Sequence, residues 1–305
     1  MSTADIAPVA HGRRSSFTRP SFIGLGAVAR AELAKLTRRP STWVLLATTV
    51  ALNQVFAYVI PYFAYRGDTT SDFADGATAD QLLAGMLPEQ LATNTVGAFA
   101  VFVGALALVL GALVTGSEYT SATLKTLLTQ RPGRITVALG QMLTVVLAAG
   151  VAVLVLAVTG ALTAVGIALV EGEPIGWPAL GDLASGLGAG WAILAMWGTV
   201  GAALGAVLRS VALPIGLGVV WILAIENLVA AVSGSTLTAL AGFRDLLPGT
   251  NAGSLLGAVL PSTGGEPAPG VQTLVSGGRG LVTVLVYLVI CVVVAVVVTR
   301  RRDVS

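Results

Sequence analysis

The chain has 305 residues, 55% of them hydrophobic and only 10% charged, with 17 basic and 15 acidic side chains. Soluble domains carry roughly 25% charged residues, so this composition, at a mean hydropathy of +0.87, excludes a large soluble enzyme. The net charge of +2 gives no support to nucleic-acid binding.

The apolar residues are gathered into runs, and about 20 consecutive apolar residues suffice to cross a bilayer. Six runs qualify: Thr42 to Tyr62, Val96 to Thr115, Val137 to Val170, Leu183 to Leu208, Val211 to Val232 and Leu281 to Thr299. The third is long, because no residue from Ile135 to Val170 is charged; as a helix it would reach about 54 Å against a hydrocarbon core of about 30 Å. A tilted or broken helix with one end outside the lipid is expected there. Only Arg209 and Ser210 separate the fourth and fifth runs, and Pro214 supports a break, since proline suits the first turn of a helix and disrupts an interior.

Charge sets the orientation. With six spans, 14 of the 17 cations fall on one side, in the N-terminal segment, the second and fourth connections and the C-terminus, leaving Arg66, Arg244 and Arg279 opposite. A basic excess marks the cytoplasmic face, so both termini are expected in the cytoplasm and the protein in a bacterial cell membrane. Residues 1–21 read as a disordered basic tail, and 22–302 as a single six-span domain. The first strong apolar run begins near Trp43, too late for a secretory signal. The sole cysteine, Cys291, lies in the last span, and the sole histidine, His11, lies in the tail. Neither an internal disulfide nor a histidine-based metal or catalytic cluster can form, and no cofactor is expected.

The connections carry more information than the spans. Over 22–39, apolar residues at Phe22, Leu25, Val28 or Ala29, Leu33 and Leu36 recur at helical spacing, with Arg30, Glu32, Lys35, Arg38 and Arg39 toward the other side. This predicts an amphipathic helix in the membrane interface, its cations near lipid head groups. Over 116–134, Leu124, Leu127 and Leu128 form a short apolar stripe, and Arg131-Pro132-Gly133-Arg134 stops the segment before the third span. Such a helix can dock in a groove of a soluble partner or pack on the bundle's own underside.

The order Glu118, Thr123-Leu124, Leu127-Leu128, Arg131-Pro132 and Arg134 resembles the cytoplasmic signature of type 2 ABC exporter permeases. Glu32, Lys35, Leu36 and Trp43 resemble that family's interfacial helix, and Leu247-Pro248-Gly249 with Leu255-Leu256 resembles its proline step between short re-entrant helices in the external loop 233–279. Two positions depart: Ala122 replaces a usual glycine, and Gln141 stands where a lysine is usual. The resemblance implies an all-α permease pairing with two copies of a separate ABC ATPase and with a second permease copy or paralogue. In it Glu118, Thr123, Leu124, Leu127, Leu128 and Arg134 would form the coupling contact, with Glu32, Lys35, Leu36 and Arg38 in the neighbouring interfacial helix. Export of a drug, antibiotic, lipid, peptide or sodium ion is what the family implies.

Polar residues inside spans need a reason, because an ionised group at mid-bilayer costs about 2.5 to 3.5 kcal/mol on insertion scales. Glu226, followed by Asn227, is the one acid inside a span, about 22 Å from its inner end. It either faces a translocation path or reaches water or pairs with Arg244 or Arg279. Asn53 and Gln54 in the first span either line a path or bond between helices. Gly186 and Gly190, and Gly201 and Gly205, are small-xxx-small pairs that permit close helix approach. No Gly-x-x-x-x-Gly-Lys-Ser/Thr phosphate loop occurs, so any ATP hydrolysis belongs to a partner. The alternatives are a secondary transporter or channel, for which no relay of buried acids or bases is visible, and an intramembrane enzyme, for which converging catalytic groups are missing.

Overall fold

The computed structural model describes residues 22–67, 77–120, 133–235, 238–260, 268 and 270–301. These residues are mainly helical with no strand among them, and six of the helices they form are long and apolar enough to cross a membrane. Helix α1 (Phe22–Arg38) precedes the spans. The spans are α2 (Pro40–Arg66), α4 (Pro88–Glu118), α5 (Arg134–Glu171), α6 (Leu180–Leu208), α7 (Ala212–Ser233) and α9 (Gly277–Arg301). Shorter helices, among them α3 (Ala79–Met86) and α8 (Pro248–Val259), lie in the first and last connections between spans. The predicted tail, and residues Thr123, Leu124, Leu127 and Leu128 of the coupling segment, lie outside the described residues.

Helix starts follow from local chemistry. Pro40 and Pro248 sit in the first turns of α2 and α8, where the missing N–H costs nothing. Thr78 and Gln81 close a reciprocal capping box on α3: the Gln81 amide donates to Thr78 Oγ1, and the Thr78 amide donates to Gln81 Oε1. The fourth and fifth runs separate as expected. Arg209 ends α6 in the left-handed region at φ 52°, and Pro214 falls in the first turn of α7.

Helix α5 is one unbroken helix of 38 residues, about 57 Å long, with protein at both ends. Its first turns receive α1: Thr144 Oγ1 donates to the Ala29 carbonyl (3.3 Å), and Val28 lies against Gly140. Its last residue, Glu171, accepts from Tyr62 (2.8 Å), Tyr65 (3.0 Å) and Arg66 at the C-terminal end of α2.

Helix α6 is the most buried span and packs most extensively on α4. The contact is made by glycine. A Cβ at Gly111 would run into the Gly198 carbonyl, one at Gly201 into the Leu108 carbonyl, and one at Gly205 into Thr115 Oγ1. Thr115 Oγ1 donates across the pair to the Ala202 carbonyl at 2.7 Å. Around this seam the core contains Trp197, Phe99, Leu108, Ile193, Met196, Ile222 and Leu256, while α2, α7 and α9 present mostly exposed apolar surface of the kind lipid covers.

Three spans contain a π-helical turn: Val55–Val59 in α2, Phe99–Val103 in α4 and Trp221–Ile225 in α7. The wider turn stacks residue i+5 over residue i and releases carbonyls from the α ladder. Asn227 Nδ2 takes up two of these by donating to the Ile222 and Leu223 carbonyls, both at 3.1 Å.

Candidate functional site

The predicted interfacial helix and the predicted coupling segment meet through one buried polar cluster. Glu32 and Lys35 come from α1, Glu118 from the last turn of α4 and Gln141 from the second turn of α5. Lys35 Nζ donates to Glu32 Oε1 at 2.6 Å and to Glu118 Oε1 at 3.0 Å. Gln141 Nε2 donates to Glu118 Oε2 at 2.6 Å. Arg39 adds a second tie, its Nη1 donating to Ser117 Oγ (2.8 Å) and to the Leu113 carbonyl (3.3 Å).

Burial corrects the helical-wheel reading of α1. Glu32, expected on the polar side, is 4% exposed and shares the packed face with Ala29 and Leu36. The apolar face of α1 therefore rests on α5 and not chiefly in lipid, and it carries a carboxylate because Lys35 and the neighbouring spans satisfy it. Glu118 is 1% exposed, whereas the Lys35 side chain is 37% exposed. Two carboxylates thus share one ammonium that still reaches water. Burial pushes the Glu32 carboxyl above its ordinary range, opposed by the Lys35 hydrogen bond and reinforced by the charge of Glu118. For Lys35 burial acts downward, but the bond to Glu32 and the charge of Glu118 outweigh it and hold the ammonium above its usual value.

Among the other predicted residues, Leu36 is buried with Val114, Met142 and Ala295, Arg38 is exposed at the end of α1, and Arg134 is the first residue of α5. The role of Gln141 was not legible from its departure at a lysine position. Its amide donates to the carboxylate that a cation there could pair with, while the cation itself comes from Lys35.

Glu226 occupies a different place. The alternative of pairing with Arg244 or Arg279 is not what is found: Arg244 Nη2 bonds Asp245 Oδ1 (2.8 Å) and Arg279 Nη2 bonds the Asp245 carbonyl (3.2 Å). Glu226 is 7% exposed. Its Oε1 accepts from Trp221 Nε1 at 2.8 Å, an i,i+5 contact that the π-turn Trp221–Ile225 makes possible. It also accepts from the backbone N–H of Gly249. The first residue of α8 is proline and its N-cap Leu247 offers no side-chain acceptor, so the carboxylate satisfies the first available amide at the positive end of that helix. A Cβ at Gly249 would collide with Glu226 Oε2. Glu226, Asn227, Thr250 and Gln272 line a small cavity there, bounded by the π-turn of α4 at Ala100 and Val101.

Asn53 and Gln54 join neighbouring spans. Asn53 Nδ2 donates to the Asn94 (2.8 Å) and Thr95 (3.4 Å) carbonyls of α4, and Gln54 Oε1 accepts from Thr163 of α5 at 2.8 Å. Their partners are distinct from those of Glu226, so these candidates form two separate sets.

Fold and site together define a multi-pass helical membrane protein whose N-terminal helix is tied to the end of α4 by one ion pair, Lys35–Glu118, and to α5 by hydrogen bonding. The family model described as ABC-2 family transporter protein matches residues 26–304, and the chain belongs to that family. It is the membrane component of a transporter and not itself an enzyme, and the family implies association with an ABC ATPase. Comparison with curated proteins gives no match.

Proposed function

We propose that this chain is the permease subunit of an ATP-driven exporter in the cell membrane, with both termini in the cytoplasm and α1 at the inner membrane interface, and that two such chains, or one and a paralogue, assemble with two ATPase subunits. Residues 116–134 are the coupling segment, with Glu118, Thr123, Leu124, Leu127, Leu128 and Arg134 as its contact residues. The observation that carries this reading is the Glu32–Lys35–Glu118–Gln141 cluster. It fixes α1 to the two span ends that flank the coupling segment, so a displacement of that segment by an ATPase is passed to α1, α4 and α5 together.

On the opposite side, Glu226 joins α7 to α8 beside a polar cavity. We place Glu226 and Asn227 at the outer end of the path, where release of the carboxylate from the α8 amide would let α8 move. Asn53 and Gln54 serve the path indirectly, by holding α2 to α4 and α5.

Co-purification with a separate ABC ATPase, followed by ATP hydrolysis in liposomes over a screen of drugs, antibiotics, lipids and peptides, tests the assignment. The double variant Glu118→Ala/Leu124→Ala is expected to lose ATPase binding or stimulated hydrolysis; unchanged binding and coupling would count against it. Glu226→Gln is expected to lower transport with ATPase binding intact. Unchanged transport of every accepted compound would remove Glu226 from the path.

A further inference from the structure

The first turns of α2 leave a gap beside the bundle. Over Pro40–Gln54 only Thr49 and Asn53 are buried, and between this segment and α4, α5 and α6 lies a crevice of about 200 Å³. Leu46, Leu106, Leu110, Ala148 and Val151 contribute to its wall, with Leu33 and Leu36 of α1 closing the end nearest the membrane surface. Two of its three threonine hydroxyls are spent within their own helices: Thr49 Oγ1 donates to the Leu45 carbonyl (2.7 Å) and Thr37 Oγ1 to the Ala34 carbonyl (3.1 Å). Trp43 and Val151 on the rim are 58% and 55% exposed, so the crevice opens sideways into the region that lipid tails occupy.

An apolar cavity of roughly 150 Å³ stays dry and accepts hydrocarbon, and this one is larger and open to a hydrocarbon solvent. The rim also carries charge. Trp43 Nε1 donates to the Thr37 carbonyl at 2.8 Å, folding the indole across the corner between α1 and α2. The next residue, Arg38, is exposed there, whereas the Arg39 guanidinium is bound to Leu113 and Ser117. Arg30 is exposed farther back on α1. An acyl chain in the crevice would bring its head group to a corner whose exposed side chains are cationic.

We infer that this crevice is a lipid-binding site that holds one acyl chain of an anionic phospholipid from the leaflet containing α1, with the head group at Arg38. The lipid is a resident wedge between the first turns of α2 and the bundle, and it fills the gap left below the contacts that Thr49, Asn53 and Gln54 make with protein.

The test uses the purified full chain and native mass spectrometry, with phosphatidylglycerol and phosphatidylcholine supplied in equal amounts. Wild type is expected to retain one phosphatidylglycerol per chain. Ala148→Phe, which fills the crevice, is expected to lose it, whereas Val158→Phe on the exposed face of α5 retains it. Should Ala148→Phe fail to fold, Ala107→Leu fills the opposite wall with a smaller change. Arg38→Gln is expected to abolish the preference for phosphatidylglycerol while keeping a bound lipid. Equal lipid retention by wild type and a folded crevice-filling variant would overturn the proposal. So would loss of the bound lipid on ATP turnover with the partner ATPase, which would mark it as cargo.

Discussion

Lys35 bonds both Glu32 and Glu118, and the imbalance of two carboxylates to one ammonium makes the three residues unequal. Removing Lys35 leaves two buried carboxylates facing each other; removing the Glu32 charge leaves a matched pair. Lys35→Met is therefore expected to destabilise the protein by about 2 kcal/mol, less than the 3–5 kcal/mol of a fully buried pair because the ammonium reaches water. Glu32→Gln should change stability by less than about 1 kcal/mol. Thermal unfolding in detergent of the two variants checks the order. Gln141→Lys supplies a second cation to Glu118 and should recover much of the loss in a Lys35→Met background. The alkaline limit follows from the same group. Because the folded Lys35 is held above its usual value, its contribution is complete below about pH 10.4 and is lost as the pH rises through the folded value. Lys35→Met should flatten the alkaline fall in melting temperature. The types of these residues were legible in the sequence, but Glu32's side of the helix was not: a helical wheel assigns charge to the wet face and cannot foresee a partner 83 positions away, as Glu118 is from Lys35.

At the scale of elements, the α4/α6 seam depends on missing side chains. Gly201→Leu would drive a side chain into the Leu108 carbonyl, and a backbone atom cannot turn aside as a side chain can. A cost of about 3 kcal/mol, the upper end of the usual overpacking range, is expected, seen as loss of folded protein by size-exclusion chromatography. At Gly188, in the same helix, an added Cβ would meet nothing within 4 Å, so Gly188→Ala should be neutral or slightly stabilising, since alanine is the better helix former by about 1 kcal/mol. The pairs Gly186/Gly190 and Gly201/Gly205 were visible as a pattern, but glycine is common in membrane helices. Only the packing separates Gly201 from Gly188. The π-turns were not legible at all. The turn at Trp221–Ile225 leaves no composition cue, yet it sets the i,i+5 contact between Trp221 and Glu226.

For the whole molecule, six spans and the distribution of cations predict that the N- and C-termini share a face with Arg209. In a Cys291→Ala background, a cysteine placed by Ser305→Cys should react with an impermeant maleimide only from the cytoplasmic side of membrane vesicles, and one placed by Ser185→Cys only from the outer side. The reverse pattern would invert the orientation and remove the proposed cytoplasmic coupling face. The class of the protein, the number of spans, their approximate limits and the break at Arg209 could all be read from the order of residues. Each follows from apolar run length and backbone chemistry, which are local in the chain. Packing was needed to settle which side of α1 is buried, that Glu226 binds the start of α8 instead of an arginine, and that α2 leaves a crevice beside its N-terminal half. Those outcomes depend on which groups remain to be satisfied after distant segments come together, and in a medium without water each buried charge is settled by the nearest donor, whatever its position in sequence.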